Sequence, residues 1–493
     1  SSGAAMLNNF EHCNQTSESP VNSCFTTQAR SCSLNHELYP NSVSVKSEII
    51  SATRNFSIFC HMKKFFSLLY IVIAVQASQG QSFGTKRSST PQQFSPMFSA
   101  AAEGFSAQRL QKLDKWISEN ITAETMPNLV MFVARNGKII YHKAFGYANR
   151  EKRKPSATSD IYRIASQTKA IASVALMTLY EEGRFLLDEP VSKYIPAFKN
   201  PQVLVSYDTL NPVTGAYKTR EAKTEITIRQ LLSHTAGIPY EHPLEGRPEF
   251  SVPYLNSMNA DKLEDVINKL AKRPLITDPG EGFVYGLNTD VIGRLIEVLA
   301  GKPLDRVIAE RVTKPLGMND TWFYLPKEKE NRLVELYSKE KATDPITVYA
   351  NDTFRFYPIS GAKSYFSAGA GMVSTAIDYA KFCQMILNGG TFNNQRILSR
   401  HTIEMMARNQ IGESEVWTRK DKFGLGFQIV TPQTHYADVA SPGSITWGGA
   451  YCSEYTIDPV EGLVIQFFTN VSPYGQYDEL TLKLRTLVYQ ALE

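Results

Sequence analysis

The sequence predicts an α+β fold: a central antiparallel sheet flanked by helices, joined to a second, mostly helical lobe. Three observations predict it. Segments of period-2 character cluster at both ends of the globular part, helical periodicity fills the middle, and many prolines punctuate that middle region. Strands so far apart in sequence must pair with one another, which makes the sheet-bearing lobe discontinuous: residues 104–165 with 365–493, and 166–364 as the helical lobe. A cleft between the two is where a pocket is expected.

The elements follow in order. Residues 1–61 are rich in Ser and Asn, carry Cys13, Cys24, Cys32 and Cys60, and show no helical or strand period, so they are expected to be disordered upstream sequence. "MKKFFSLLYIVIAVQASQGQS" has two lysines, a short apolar stretch and small residues at Ser78 and Gly80, the build of a secretory signal over 62–80, too short for a membrane anchor. Met62 is therefore expected to be the true start, with cleavage near Gly80-Gln81 and no stable membrane insertion afterwards. Residues 81–103 read as a polar linker. A helix is predicted from Ser106 to about Glu119, with Leu110, Leu113, Trp116 and Ile117 on one face. Asn136-Gly137 between two β-rich runs predicts a hairpin. Helices are predicted over 166–182, 261–271, 289–300, 303–312 and 476–491, and strands in "FGLGFQIVT", "SITWGGAYCSEYTIDP" and "GLVIQFFTNV".

Composition removes several function classes. The chain of 493 residues has a formal charge of +4 and no basic stripe interleaved with aromatics, which argues against nucleic acid as a partner. After signal cleavage only Cys383 and Cys452 remain, in an apolar helical run and a strand-like run, so both are expected in the core rather than in a disulfide scaffold. His142, His234, His242, His401 and His435 have no zinc spacing, and no metal or cofactor is expected.

Chemistry is carried by "IYRIASQTKAIASVALMTLY". Three S-x-x-K quartets occur, Ser166-Lys169, Ser338-Lys341 and Ser360-Lys363, and only the first opens a strongly apolar helix. Residues three apart on a helix share a face, and a serine in the first turn has backbone N–H groups beside it. A serine needs a base, and a lysine serves only where burial and neighbours hold part of it neutral. The competing assignment is a capping serine with a surface lysine; further polar groups around Lys169 would separate the two.

Beyond these residues, "IASQTKAIASVALMTL", "LLSHTAGI", "FVYGLNTDVIGRLIEVLAG", "KPLGMNDTWF", "SAGAGMVSTAIDYAKF" and "WGGAY" together resemble the beta-lactamase-related serine hydrolases over about residues 103–490. That superfamily includes class C beta-lactamases, D-alanyl-D-alanine carboxypeptidases and family VIII carboxylesterases, and the resemblance implies the beta-lactamase/transpeptidase-like fold. It implies Ser166 as acylated nucleophile, Lys169 as its base, and Tyr285 as the third catalytic residue, with Leu287 where lactamases have asparagine and Asn288 one place later as a substrate-binding candidate. Tyr147-Ala148-Asn149 spells the lactamase motif but precedes the nucleophile, the wrong order. The strand triad reads Trp447-Gly448-Gly449, the form resembling the esterase branch, and the resemblance places the oxyanion hole on the N–H groups of Ser166 and Ala450.

Trp447 cannot pair with a substrate carboxylate, so a neutral ester is expected, with weak beta-lactam side activity. His234 is expected to be structural. The implied protein is a bacterial, periplasmic or secreted carboxylesterase acting on short to medium acyl esters as small-molecule substrates. The alternatives are a class C-like beta-lactamase or D-alanyl-D-alanine carboxypeptidase, a serine acyltransferase, and a non-catalytic binding protein on the same fold.

Overall fold

The computed structural model describes residues 93–96, 99–253, 255, 261–417, 419–434 and 438–493. The expected upstream segment, the signal and most of the linker, with His435, lie outside the described residues. The centre of the fold is an eight-stranded antiparallel sheet: β1 (Asn128–Arg135), β2 (Lys138–Asn149), β3 (Lys154–Pro155), β4 (Lys422–Phe423), β5 (Gln428–Ile429), β6 (Ile445–Gly449), β7 (Ser453–Asp458) and β8 (Leu463–Phe468). Its order is β4-β5-β6-β7-β8-β1-β2-β3, so N- and C-terminal strands meet at the β8–β1 pair, from Val130 opposite Phe468 to Arg135 opposite Leu463.

β1 reads as a continuous apolar run because both of its faces are covered. Leu129, Met131 and Val133 pack beneath α1 (Ala107–Thr122) and α5 (Tyr477–Tyr489), alongside Leu113, Ile117, Leu480 and Leu484. Val130, Phe132 and Ala134 face the other way, into the larger core shared with α2 (Thr168–Glu181) and α4 (Ala376–Leu387). Side chains alternate across a strand, so one sequence run serves both layers. Each fully buried aliphatic side chain contributes about 1.5–3 kcal/mol. The Ser106 hydroxyl caps α1 by accepting from the Arg109 amide, which starts the helix where the sequence predicts. Asn136 and Gly137 both have positive φ in the β1–β2 turn, as a type I′ hairpin turn requires.

The helical lobe is built around α2 and α3 (Asn288–Ala300). α2 is buried from Thr168 to Leu179, the signature of a core helix. α3 approaches the 367–369 segment closely because residue 293 is glycine: a Cβ there would lie 2.7 Å from Ala368 Cβ. The helix expected over 303–312 is α-helical only at Leu304–Ile308 and widens into a π turn at Ala309–Thr313. Gln202–Tyr207 and Tyr217–Glu221 form a hairpin that the sequence did not announce; the second strand is exposed throughout, so no period-2 burial pattern marks it. Cys383 is buried in α4 as expected, whereas Cys452 is buried in the β6–β7 turn, at φ 58°, rather than in a strand. No helix among the described residues is long and apolar enough to cross a membrane.

Candidate functional site

Ser166 sits in a short 3-10 turn, Ala165–Gln167, that feeds α2. Ala165 is held at φ 42°, a left-handed conformation that costs energy for any residue bearing a Cβ. The turn is fixed from several sides: the Ile164 amide donates to the Met372 carbonyl, the Met372 amide to Thr168 Oγ1, and the buried Tyr379 hydroxyl to the Gln167 carbonyl. These contacts hold the serine in place before any substrate arrives.

Lys169 is 2% exposed. Its Nζ donates to Ser166 Oγ at 3.3 Å, to the Tyr240 hydroxyl at 2.7 Å and to the Gly369 carbonyl at 2.8 Å. An ammonium has three N–H donors, and each has an acceptor here. The ring of Tyr285 lies 4.7 Å from the same nitrogen, so an aromatic face offsets part of the cost of burying the cation. A surface lysine beside a helix cap would have none of these partners. Once neutral, the amine can accept the Ser166 proton across the contact it already makes.

Two tyrosines therefore share the lysine. Tyr285 presents its ring to Nζ, and Tyr240, which sequence reasoning missed, presents its hydroxyl. Burial first, then the neighbouring Tyr285 hydroxyl and the Asp290 carboxylate, push Tyr240 well above the ordinary phenol range. Gly286 allows this meeting, since a Cβ on it would lie 2.1 Å from the Ile238 carbonyl oxygen and would drive apart the segments carrying the two phenols. The one sequence signal at Tyr240 was an aromatic residue just after the "HTAG" turn. Tyr240→Phe is expected to lower kcat/KM for an activated ester about 10²-fold or more, the range for loss of a proton-transfer group; steady-state kinetics on the variant checks this.

Trp447 is buried, packed edge-on against Tyr285 and Phe423 at 5.2 and 5.3 Å between centroids and stacked on Trp417 at 5.5 Å and 18°. Trp417, also missed, is half-buried and covers Trp447. Its signal was a lone tryptophan in the charged stretch "ESEVWTRKDK". Gly448 and Gly449 are places of close approach: a Cβ would lie 1.7 Å from the Tyr477 hydroxyl at the first and 2.5 Å from the Ile164 carbonyl oxygen at the second. Gly449 thus lays β6 against the residue two before Ser166, and Ala450, which follows, packs in the same apolar cluster as Ala165.

Asn288 bonds to His234 rather than to Ser166 or Lys169. It is fully buried, and its amide donates to His234 Nδ1 at 2.9 Å and to the Ile238 and Val284 carbonyls at 3.2 Å, which fixes the loop carrying Tyr240. His234 accepts that bond as a neutral ring; burial, then the Lys169 charge, holds it well below the usual imidazole range. In the Tyr147-Ala148-Asn149 stretch, Asn149 Oδ1 accepts from the Lys152 amide and Asn149 Nδ2 reaches Glu335.

The profile of the family described as Beta-lactamase matches residues 113–490. The chain is 29% identical over 394 residues to Esterase EstB of Burkholderia gladioli, covering 77% of this chain and 94% of that one. It is 26% identical over 395 residues to a putative D-alanyl-D-alanine carboxypeptidase of Escherichia coli K12, covering 74% and 83%. Among solved structures it superposes on EstCE1, described as a hydrolase with promiscuous acyltransferase activity, with a TM-score of 0.63, 26% identity, and 79% and 100% of the two chains covered.

Proposed function

This chain belongs to the beta-lactamase family, and on that premise we propose that it is a carboxylesterase, resembling family VIII, that acylates Ser166 and then hydrolyses the acyl-enzyme. The single observation that carries the reading is the position of Lys169 Nζ, buried between Ser166 Oγ and the Tyr240 hydroxyl. Neutral Lys169 takes the Ser166 proton as the oxygen attacks the ester carbonyl. The oxyanion develops toward the N–H groups of residues 166 and 450, donors that commonly contribute about 3–4 kcal/mol each to such transition states. A phenol of the Tyr240–Tyr285 pair passes a proton to the departing alcohol, and Lys169 restores it. Water then attacks the acyl-enzyme by the same route in reverse.

Substrate class follows from Trp447. An indole packed among Trp417, Tyr285 and Phe423 offers apolar surface and no charge to a substrate carboxylate. Neutral esters of short to medium acyl chains suit it better than peptidoglycan stems or beta-lactam acids. Similarity to Esterase EstB supports this choice over the carboxypeptidase reading.

The test joins mass and rate. Intact-protein mass after fluorophosphonate treatment is expected to show one adduct, absent in Ser166→Ala. Turnover of p-nitrophenyl butyrate is expected to exceed that of nitrocefin by about 10²-fold or more, the discrimination expected where an anion lacks its partner. Faster nitrocefin turnover would replace the esterase reading with the lactamase one; ester product formed with an added alcohol acceptor would mark a transferase. Export by the segment Met62–Gly80 belongs to the same proposal, and N-terminal sequencing of secreted material should begin near Gln81.

A further inference from the structure

Behind Lys169 lies a carboxylate that the proposed reaction does not use. Asp290, in the first turn of α3, is 1% exposed. Its Oδ1 accepts from Ser367 Oγ at 2.9 Å and from the Gly369 amide at 3.2 Å, and the Gly369 carbonyl in turn accepts from Lys169 Nζ at 2.8 Å. Residue 369 can occupy this gap only as glycine, because a Cβ would lie 2.4 Å from Asp290 Oδ2 and 3.3 Å from the Tyr240 hydroxyl.

The arrangement suits an anion. Both donors converge on Oδ1, and each favours the charged form of the carboxyl. Burial leaves the Asp290 carboxyl above its ordinary range, and the Lys169 charge, then the Ser367 and Gly369 donors, limit that rise without reversing it. The groups around the lysine are Ser166 from the nucleophile turn, Tyr240 and Tyr285 from their loops, neutral His234 from the preceding turn, and Asp290 from α3, with Tyr365 beside Asp290. Of these, Asp290 alone brings a carboxylate.

We propose that Asp290 is a positioning residue for Lys169: through residue 369 it fixes the carbonyl that seats the ammonium, and its charge sets the pH above which Ser166 can lose its proton. The proposal rests on the reading of Ser166 as nucleophile with Lys169 as its base. Its sign does not depend on whether the amine or a phenol finally accepts that proton. Removing a nearby negative charge makes either group release its own proton more readily, so the acid limb moves to lower pH.

The experiment is the rate of fluorophosphonate labelling from about pH 5 to about pH 9, spanning the range in which such a base titrates, for the wild type, Asp290→Asn and Asp290→Glu. Asp290→Asn keeps the acceptor oxygen and removes the charge; the midpoint of the acid limb is expected about one pH unit or more lower than in the wild type. Asp290→Glu keeps the charge and displaces the tether, so its limb should stay in place while its rate falls, and this arm carries the test if Asp290→Asn does not fold. An unmoved limb in folded Asp290→Asn, or a wild-type rate in Asp290→Glu, overturns the proposal. Labelling that persists in Ser166→Ala would instead sink the underlying site reading, an outcome independent of where the limb lies.

Discussion

Ser166→Ala is expected to lower ester turnover by about 10⁴-fold or more, as removal of an acylated nucleophile does, and to leave the fold intact. The hydroxyl is the only group removed, and it accepts a bond from Lys169 Nζ at 3.3 Å. That lysine keeps its two shorter bonds, to Tyr240 and Gly369, so no buried charge is stranded. Stability should therefore change by no more than about 1 kcal/mol. Turnover of p-nitrophenyl butyrate, a thermal melt and adduct mass on one preparation separate chemistry from folding. Residual activity within tenfold of wild type, about 1.4 kcal/mol of barrier, would move the nucleophile elsewhere.

Gly449→Ala should damage the same step from the opposite side of the site. The added methyl would lie 2.5 Å from the Ile164 carbonyl oxygen and 2.7 Å from Ser453 Oγ. The first is backbone, held by the Gln167 amide at 3.0 Å, so the end of β6 must move away from the turn that carries Ser166. The N–H of residue 450 moves with it, and kcat is expected to fall about 10²–10³-fold, the cost of one misplaced oxyanion donor. Overpacking should also cost about 1–3 kcal/mol of stability. Gly282→Ala, where a Cβ meets nothing within 4 Å, is the matched control and should retain wild-type kcat. Full kcat in folded Gly449→Ala would remove residue 450 from the oxyanion hole.

What could be read in the sequence was what local chemistry encodes. The Asn136-Gly137 turn, the helix beginning at Ser106, the apolar α2 and the strands near the C-terminus each announce themselves within a few residues, and the structure places them there. So does the S-x-x-K pair, because one helical turn suffices to bring its members together. Tyr240, Trp417 and the Asp290 contact did not announce themselves, for a common reason. Tyr240 sits in a proline-bearing loop without period and reaches Lys169 only because Gly286 lets two loops touch. Trp417 gains meaning from Trp447, and Asp290 from a glycine in another segment. Asn288, one residue from a recognisable motif position, turned inward to hold His234 because it opens α3 at full burial.

The β8–β1 pairing has a consequence in time. Val130 and Phe468 are neighbours in the sheet but roughly 340 positions apart in the chain, and the Ser106 amide donates to the Ala491 carbonyl, close to the last residue. Such pairings are slow to form, since a long loop must close before any contact rewards it. A ribosome therefore delivers β1 long before its partner exists, and the turn that holds Ser166 waits for β6 and β8 to arrive. Until those strands are made, the segments around Ser166 and Lys169 cannot reach their folded geometry, so whatever the site does must wait for the far side of the sheet.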